Sequence, residues 1–204
     1  MTVALSIDNL TLIRGGRALI RGLSLGVKAG EIVSLEGPNG AGKTSLLRAI
    51  AGLLPQTGGT IMITSQGVTA TDREDRSNFI GWLSHLDGIK GQLTVREQAK
   101  FWATLFKSHG NVDAAITRFG LMRIGDARGA VLSAGQKRRL ALVRLVLAAR
   151  PVWLLDEPLA ALDTAGKALV ASAIIEHATQ GGIVIAATHD PLGVACQTLR
   201  VGAA

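Results

Sequence analysis

Hydrophobic positions along the chain fall into two rhythms. Short stretches at 4–10, 23–27, 32–35, 60–63, 79–83, 152–155 and 182–187 alternate or are apolar throughout, and they predict β-strands. Several, such as Val152-Trp153-Leu154-Leu155, carry no polar residue, as expected of parallel strands covered on both faces. Helical spacing takes over at 43–51, where Gly52 ends it, and recurs at 133–149 and 164–179. Strand, turn, helix and strand in succession predict an α/β fold.

The stretch 94–129 departs from this rhythm, because it reads as helices with no strand between them. Thr94 and Glu97 form a capping box, in which the hydroxyl and the carboxylate each satisfy an orphan amide. Val95, Ala99, Trp102 and Phe106 then give one apolar face. The expected organisation is a single domain over 1–204 with a helical subdomain at about 90–132 set into the α/β core.

Composition narrows the chemistry. A chain of 204 residues suits one domain. Its single cysteine, Cys196, excludes an internal disulfide framework. The first residues lack a secretory pattern, so cytoplasm is the expected compartment. The best apolar run, 140–155, is broken by Arg144, Arg150 and Pro151 and falls short of a membrane span. A mean hydropathy of +0.33 nevertheless suggests apolar surface covered by a partner. The net charge of +7 suits a polyanion. With 3% aromatic residues and no tyrosine, stacking platforms for single strands are missing, and no stable nucleic-acid partner is expected.

Chemistry concentrates in three places. Gly37-Pro38-Asn39-Gly40-Ala41-Gly42-Lys43-Thr44 matches a phosphate-cradling loop and sits where such a loop must, between a strand and a helix. Glycines let backbone amides converge on phosphates; Lys43 is expected to reach the β- and γ-phosphates of ATP, and the Thr44 hydroxyl to bind Mg²⁺. The apolar strand 152–155 ends in Asp156 and Glu157. Asp156 is expected to hold the hydrated metal and Glu157 to polarise the attacking water. The third place, Leu132-Ser133-Ala134-Gly135-Gln136, reads by itself as a helix cap, since Ser133 and Gln136 make a capping box.

At these residues the chain resembles the ATP-binding cassette ATPases, whose Leu-Ser-Gly-Gly-Gln signature differs only by Ala134. The resemblance covers nearly the whole chain. Ala160-Ala161-Leu162-Asp163 looks like the family's D-loop and Thr188-His189-Asp190 like its switch-histidine motif. It implies a RecA-like P-loop core with an N-terminal antiparallel β portion and a small helical subdomain. It also implies a head-to-tail dimer of this chain with ATP between the copies. Residues 37–44 and Ser45 would hold ATP from one side, and Ser133, Gly135 and Gln136 from the other. His189 would contact the γ-phosphate and hold Glu157 and water in register.

Two positions depart from the family pattern. Arg14 stands where many members stack an aromatic on adenine; a guanidinium can stack there too, and a solvated loop arginine is the other reading. His85 stands at the place of the Q-loop glutamine, where a neutral imidazole can still bind water or metal.

The segment Trp82–Lys90, with Gly88-Ile89-Lys90, and the alanine signature resemble the haem-exporter type of ATPase subunit that serves cytochrome c maturation. This implies two copies on the cytoplasmic face of a bacterial inner membrane, bound to integral membrane subunits. The alternatives are the ATPase of another importer or exporter, of lipid or amino acid, and a soluble cassette ATPase acting on ribosomes or DNA. No residue stands out as a haem ligand, and His109 and His177 read as ordinary surface histidines.

Overall fold

The computed structural model describes residues 2–108 and 110–202. It opens with a long antiparallel hairpin, β1 (Val3–Arg14) and β2 (Arg17–Lys28), in which Arg14 faces Arg17. The connecting Gly15-Gly16 has φ of 57° and 75°, the two positive angles that a tight turn matched to the strand twist requires. Next come β3 (Ile32–Glu36), α1 (Lys43–Ile50), β4 (Gly58–Ser65), β5 (Val68–Ala70), α2 (Arg73–Ser77) and β6 (Ile80–Leu83). Helices α3 (Val95–Leu105), α4 (Val112–Arg118) and α5 (Ala134–Ala148) follow, with two short 3-10 turns between the last two. The described chain then runs through β7 (Val152–Asp156), α6 (Thr164–Thr179), β8 (Ile183–Ala187) and β9 (Gln197–Arg200).

These strands form two sheets. One is antiparallel in the order β2-β1-β4-β5; the other is parallel in the order β6-β7-β8-β3-β9. The parallel sheet explains the unbroken apolar runs. In β7, Val152 and Leu154 pack with the antiparallel sheet and α1, while Trp153 and Leu155 pack with the helices on the other face. β8 repeats the division, with Ile183 and Ile185 on the first side and Val184 and Ala186 on the second. Alternation persists, but both faces are dry. This is an α/β P-loop fold, and every strand expected from the sequence has its counterpart. Three elements were not expected: β5, α2 and β9.

The capping box before α3 forms as its sequence predicts. Thr94 Oγ1 accepts from the Glu97 amide at 3.1 Å, and Glu97 Oε2 accepts from the Thr94 amide at 2.8 Å. The Thr94 backbone bond, joined by its hydroxyl, holds the Glu97 carboxyl below its ordinary pKa. Val95, Ala99 and Trp102 are buried, with Phe106 packed against them.

Arg76 in α2 is wholly buried and donates to three carbonyls, those of Ile61 at 3.0 Å, Thr71 at 2.6 Å and Ala49 at 3.2 Å. Its bond to Ala49 places a cation at the carboxyl end of α1, where the helix dipole favours it.

His177 is not the surface histidine its sequence suggests; His109, read the same way, lies outside the described residues. The His177 ring stacks on Trp153 with centroids 4.0 Å apart and planes 10° apart, and Nε2 lies 3.2 Å from the Pro151 carbonyl oxygen. Burial pushes its pKa from 6.5 down to about 4. The fold therefore favours neutral His177, and the unfolded chain takes up its proton first. The stability this contributes is complete above pH 6.5 and is lost as pH falls from there toward about 4. In thermal melts followed by circular dichroism, wild-type Tm is expected to fall with pH across this window by several degrees more than that of His177→Phe, which keeps the stack but cannot titrate.

Candidate functional site

Register brings distant segments to one edge of the parallel sheet. Leu35 and Asp156 both pair with Ala187, and Leu83 pairs with Leu155, so β3, β6, β7 and β8 end side by side. The loops that follow them carry the candidate residues. In open α/β sheets, ligands bind at this carboxyl edge.

After β3, residues 37–42 turn into α1. Gly42 occupies the cap position with φ 103°, and a Cβ on Gly37 would lie 2.4 Å from the Val201 carbonyl oxygen. Only glycine fits either place. The loop thus meets the positive end of the α1 dipole. Lys43 is 8% exposed, and its Nζ donates to the carbonyls of Gly37 at 2.6 Å and Pro38 at 3.3 Å.

Thr44 Oγ1 donates to Asp156 Oδ1 at 3.0 Å, although the two residues are 112 positions apart. A hydroxyl and a carboxylate side by side offer hard oxygens that can hold a divalent cation beside phosphate. Glu157 adopts φ 52°, a left-handed backbone that costs a non-glycine residue roughly 1–2 kcal/mol. Its amide donates to the Ala187 carbonyl at 2.7 Å, and its Oε1 lies 3.6 Å from His189 Nε2. On the next residue, Asp190 Oδ2 accepts from Lys167 Nζ at 2.6 Å, and this bond, with the lysine's charge, holds the Asp190 carboxyl below its ordinary range.

A cleft of about 460 Å³ gathers most of the expected residues. Its walls include residues 38–45, Asp156, Glu157 and His189, with Arg14 from the β1–β2 hairpin and His85 from the loop after β6. Gly37 stands behind the wall and accepts the Lys43 bond. Leu19 and Arg48 also line the cleft, and the sequence reading had not singled them out.

Ser133, Gly135, Gln136 and Asp163 are not brought to this cleft; they form a second cluster at the starts of α5 and α6. Ser133 Oγ accepts from the Gln136 amide at 3.2 Å, and Gln136 Oε1 accepts from the Ser133 amide at 2.8 Å. Asp163 caps α6 by accepting from the Gly166 amide at 2.7 Å. A Cβ on Gly135 would lie 2.7 Å from the Ala161 carbonyl oxygen, so a glycine lets the two loops touch.

No motif in the sequence marks Arg138, which lies in the basic run Lys137-Arg138-Arg139 opening α5 and is 2% exposed. The available signal was spacing: Arg138, Ala141, Leu142 and Leu145 lie on one buried stripe of α5. A lone charge in such a stripe calls for partners.

Residues 20–160 match the family model described as ABC transporter. The chain belongs to that family and is an ATP-binding cassette ATPase, which implies nucleotide binding and, in general, paired ATPase subunits working with membrane partners. Among curated relatives it is similar to the "Cytochrome c biogenesis ATP-binding export protein CcmA" of Nitrobacter winogradskyi, at 42% identity over 98% of both chains. The protein of that name from Rhodopseudomonas palustris is 43% identical with the same coverage. The one from Rhodobacter capsulatus is 43% identical over 93% of this chain and 83% of its own. Among solved structures, an ABC transporter ATP-binding protein from Pyrococcus furiosus superposes with a TM-score of 0.82 over 97% of each chain. At 24% identity that likeness speaks for the fold alone.

Lys43 is the most buried cation of the cleft, so removing it tests the phosphate site directly. Lys43→Ala is expected to weaken ATP binding about 10- to 100-fold, the size of one charge-assisted contact, as measured by titration with a fluorescent nucleotide. The variant should fold as the wild type does.

Proposed function

We propose that this chain is the ATP-hydrolysing subunit that energises a membrane complex of cytochrome c biogenesis, at haem export or release of a haem-loaded chaperone. The observation carrying this reading is the joint placement of Lys43, Thr44, Asp156, Glu157 and His189 around one cleft. Near-full-length similarity to cytochrome c biogenesis proteins supports the choice of complex.

In this reading phosphate oxygens replace the carbonyls of Gly37 and Pro38 as the partners of Lys43. Amides of 39–44 and the α1 N-terminus hold the triphosphate, with Ser45 at the base of the loop. Thr44 and Asp156 would hold Mg²⁺, which when bound spreads the negative charge of the β- and γ-phosphates. Glu157 accepts the proton of the attacking water, and His189, one contact away, keeps that carboxylate and the γ-phosphate in line. Arg14 stacks its guanidinium plane on the adenine. His85, on the wall of the same cleft, would offer an imidazole able to hold water or the metal.

Ser133, Gly135 and Gln136 of a second copy close over the γ-phosphate, with the D-loop residue Asp163 in the same cluster. The cluster at the starts of α5 and α6 supports this role, since it stands apart from the cleft of its own chain. Residues 90–132 act as a helical subdomain that, with the loop at His85, meets integral membrane subunits. Exposed Leu86, Phe101, Leu105 and Val131 support such a docking face, at 77%, 45%, 60% and 75% exposure. No helix among the described residues is long and apolar enough to cross a membrane. The proposed location is the cytoplasmic face of the bacterial inner membrane, held by those partners.

Glu157→Gln is expected to lower ATP turnover by at least about 100-fold while leaving ATP affinity within a few-fold, in a phosphate-release assay. Turnover at the wild-type rate contradicts the assigned base. For the complex, deleting the gene in its host is expected to abolish haem-stained c-type cytochromes, with rescue by the wild-type gene and none by Lys43→Ala. Undiminished c-type cytochromes in the deletion strain exclude this pathway.

A further inference from the structure

Arg138 stands outside the cleft yet holds two parts of its rim. Nη2 donates to the carbonyl of Asp156 at 2.7 Å and to that of Glu157. Nη1 donates to the carbonyl of Ser84 at 2.8 Å and to Asp87 Oδ1 at 2.7 Å. One planar fork therefore joins the carboxyl end of β7 to the loop that carries His85. Placing a guanidinium at 3% side-chain exposure with a single carboxylate partner is unfavourable unless its donors meet oxygens. Helix packing alone would be served as well by leucine or methionine. A lysine is long enough but presents a point charge, not a fork that grips two pairs of oxygens.

The grip falls at the strained residue. Glu157 has φ 52°, its amide is tied to Ala187 on β8, and its carbonyl is tied to Arg138. With both ends of the residue fixed, its carboxylate leaves the backbone toward His189 along a set direction. The other arm of Arg138 brackets His85 and Leu86, and Leu86 is the most exposed large apolar side chain among the described residues.

We infer that Arg138 is a positioning residue that fixes Glu157 for proton acceptance and couples that position to the 84–87 loop. This rests on the hydrolytic reading of Glu157. A displacement of the loop, as when a partner seats on Leu86, pulls on the same guanidinium that holds the base. Arg138 then affects turnover and leaves nucleotide binding alone.

The test is steady-state ATPase kinetics beside ATP titration and thermal melting, on Arg138→Lys, Asp87→Ala, Glu157→Gln and the double variant Arg138→Lys/Glu157→Gln. Arg138→Lys is expected to lower kcat about tenfold or more, with KM and ATP affinity within about twofold. Asp87→Ala, which frees one arm, is expected to lower kcat about threefold. Because Arg138 acts through Glu157, adding Arg138→Lys to Glu157→Gln should change turnover less than about twofold. Arg76→Lys, an equally buried arginine away from the cleft, is the structural control: Tm falls and kcat stays. Wild-type kcat in folded Arg138→Lys overturns the inference, as does a full tenfold further loss in the Glu157→Gln background. Should Arg138→Lys fail to fold, Asp87→Ala decides, and an unchanged kcat there overturns the coupling. A wild-type protein without ATPase activity overturns the hydrolytic reading beneath it, a result distinct from active wild type with unimpaired Arg138→Lys.

Discussion

Everything in the site depends on the parallel, in-register alignment of β3, β8 and β7. Ala187 pairs with Leu35 on one side and Asp156 on the other, so three strands end level with one another. That row fixes where the phosphate loop begins, where the carboxylates stand and where the histidine emerges. The alignment is secured by burial on both faces, because a slip of one residue would exchange the two apolar sets of β7 and β8. A slipped strand would also carry Asp156 away from Thr44. Packing and chemistry therefore impose the same register.

The described chain divides its polar groups between two places. The cleft holds the lysine, the Thr44–Asp156 pair and the Glu157–His189 pair, while the helix starts at Ser133 and Asp163 face elsewhere. Gly135 and Ala161 touch closely, so the two loops of the second cluster must move together if either moves. Arg138, a few residues into α5, ties that same helix to the end of β7. The two places are thus joined inside one chain twice, through α5 and through the short run from Glu157 at the end of β7 to Asp163.

Much of this was legible in the sequence where local and tertiary demands agree. The phosphate loop needs its glycines at fixed spacing, the capping boxes of α3 and α5 are written in four consecutive residues, and β7 is apolar because it is central. The illegible elements are those whose residues answer to distant partners. β9 reads Gln197-Thr198-Leu199-Arg200, mostly exposed, and exists because β3 offers it an open edge. β2 begins six residues before its apolar stretch, set by the Gly15-Gly16 turn, a hairpin signal that went unread. Arg76 and Arg138 look like surface charges in the sequence, and only the carbonyls that surround them, far away in the chain, make them buried. His177 on α6 misleads in the same way, since its partner Trp153 belongs to β7.

The last described residues have a practical meaning for anyone handling this protein. Val201 donates its amide to Glu36 at 2.8 Å, its carbonyl crowds Gly37, and a Cβ on Gly202 would come within 2.8 Å of Ala41. The carboxyl-terminal segment is a wall against which the phosphate loop is moulded. β1, by contrast, begins at Val3 and reaches the cleft only at Arg14, roughly 35 Å further along an extended strand. A fluorescent probe attached at Val3 stays clear of the nucleotide, whereas one attached at Val201 or Gly202 stands beside the loop itself.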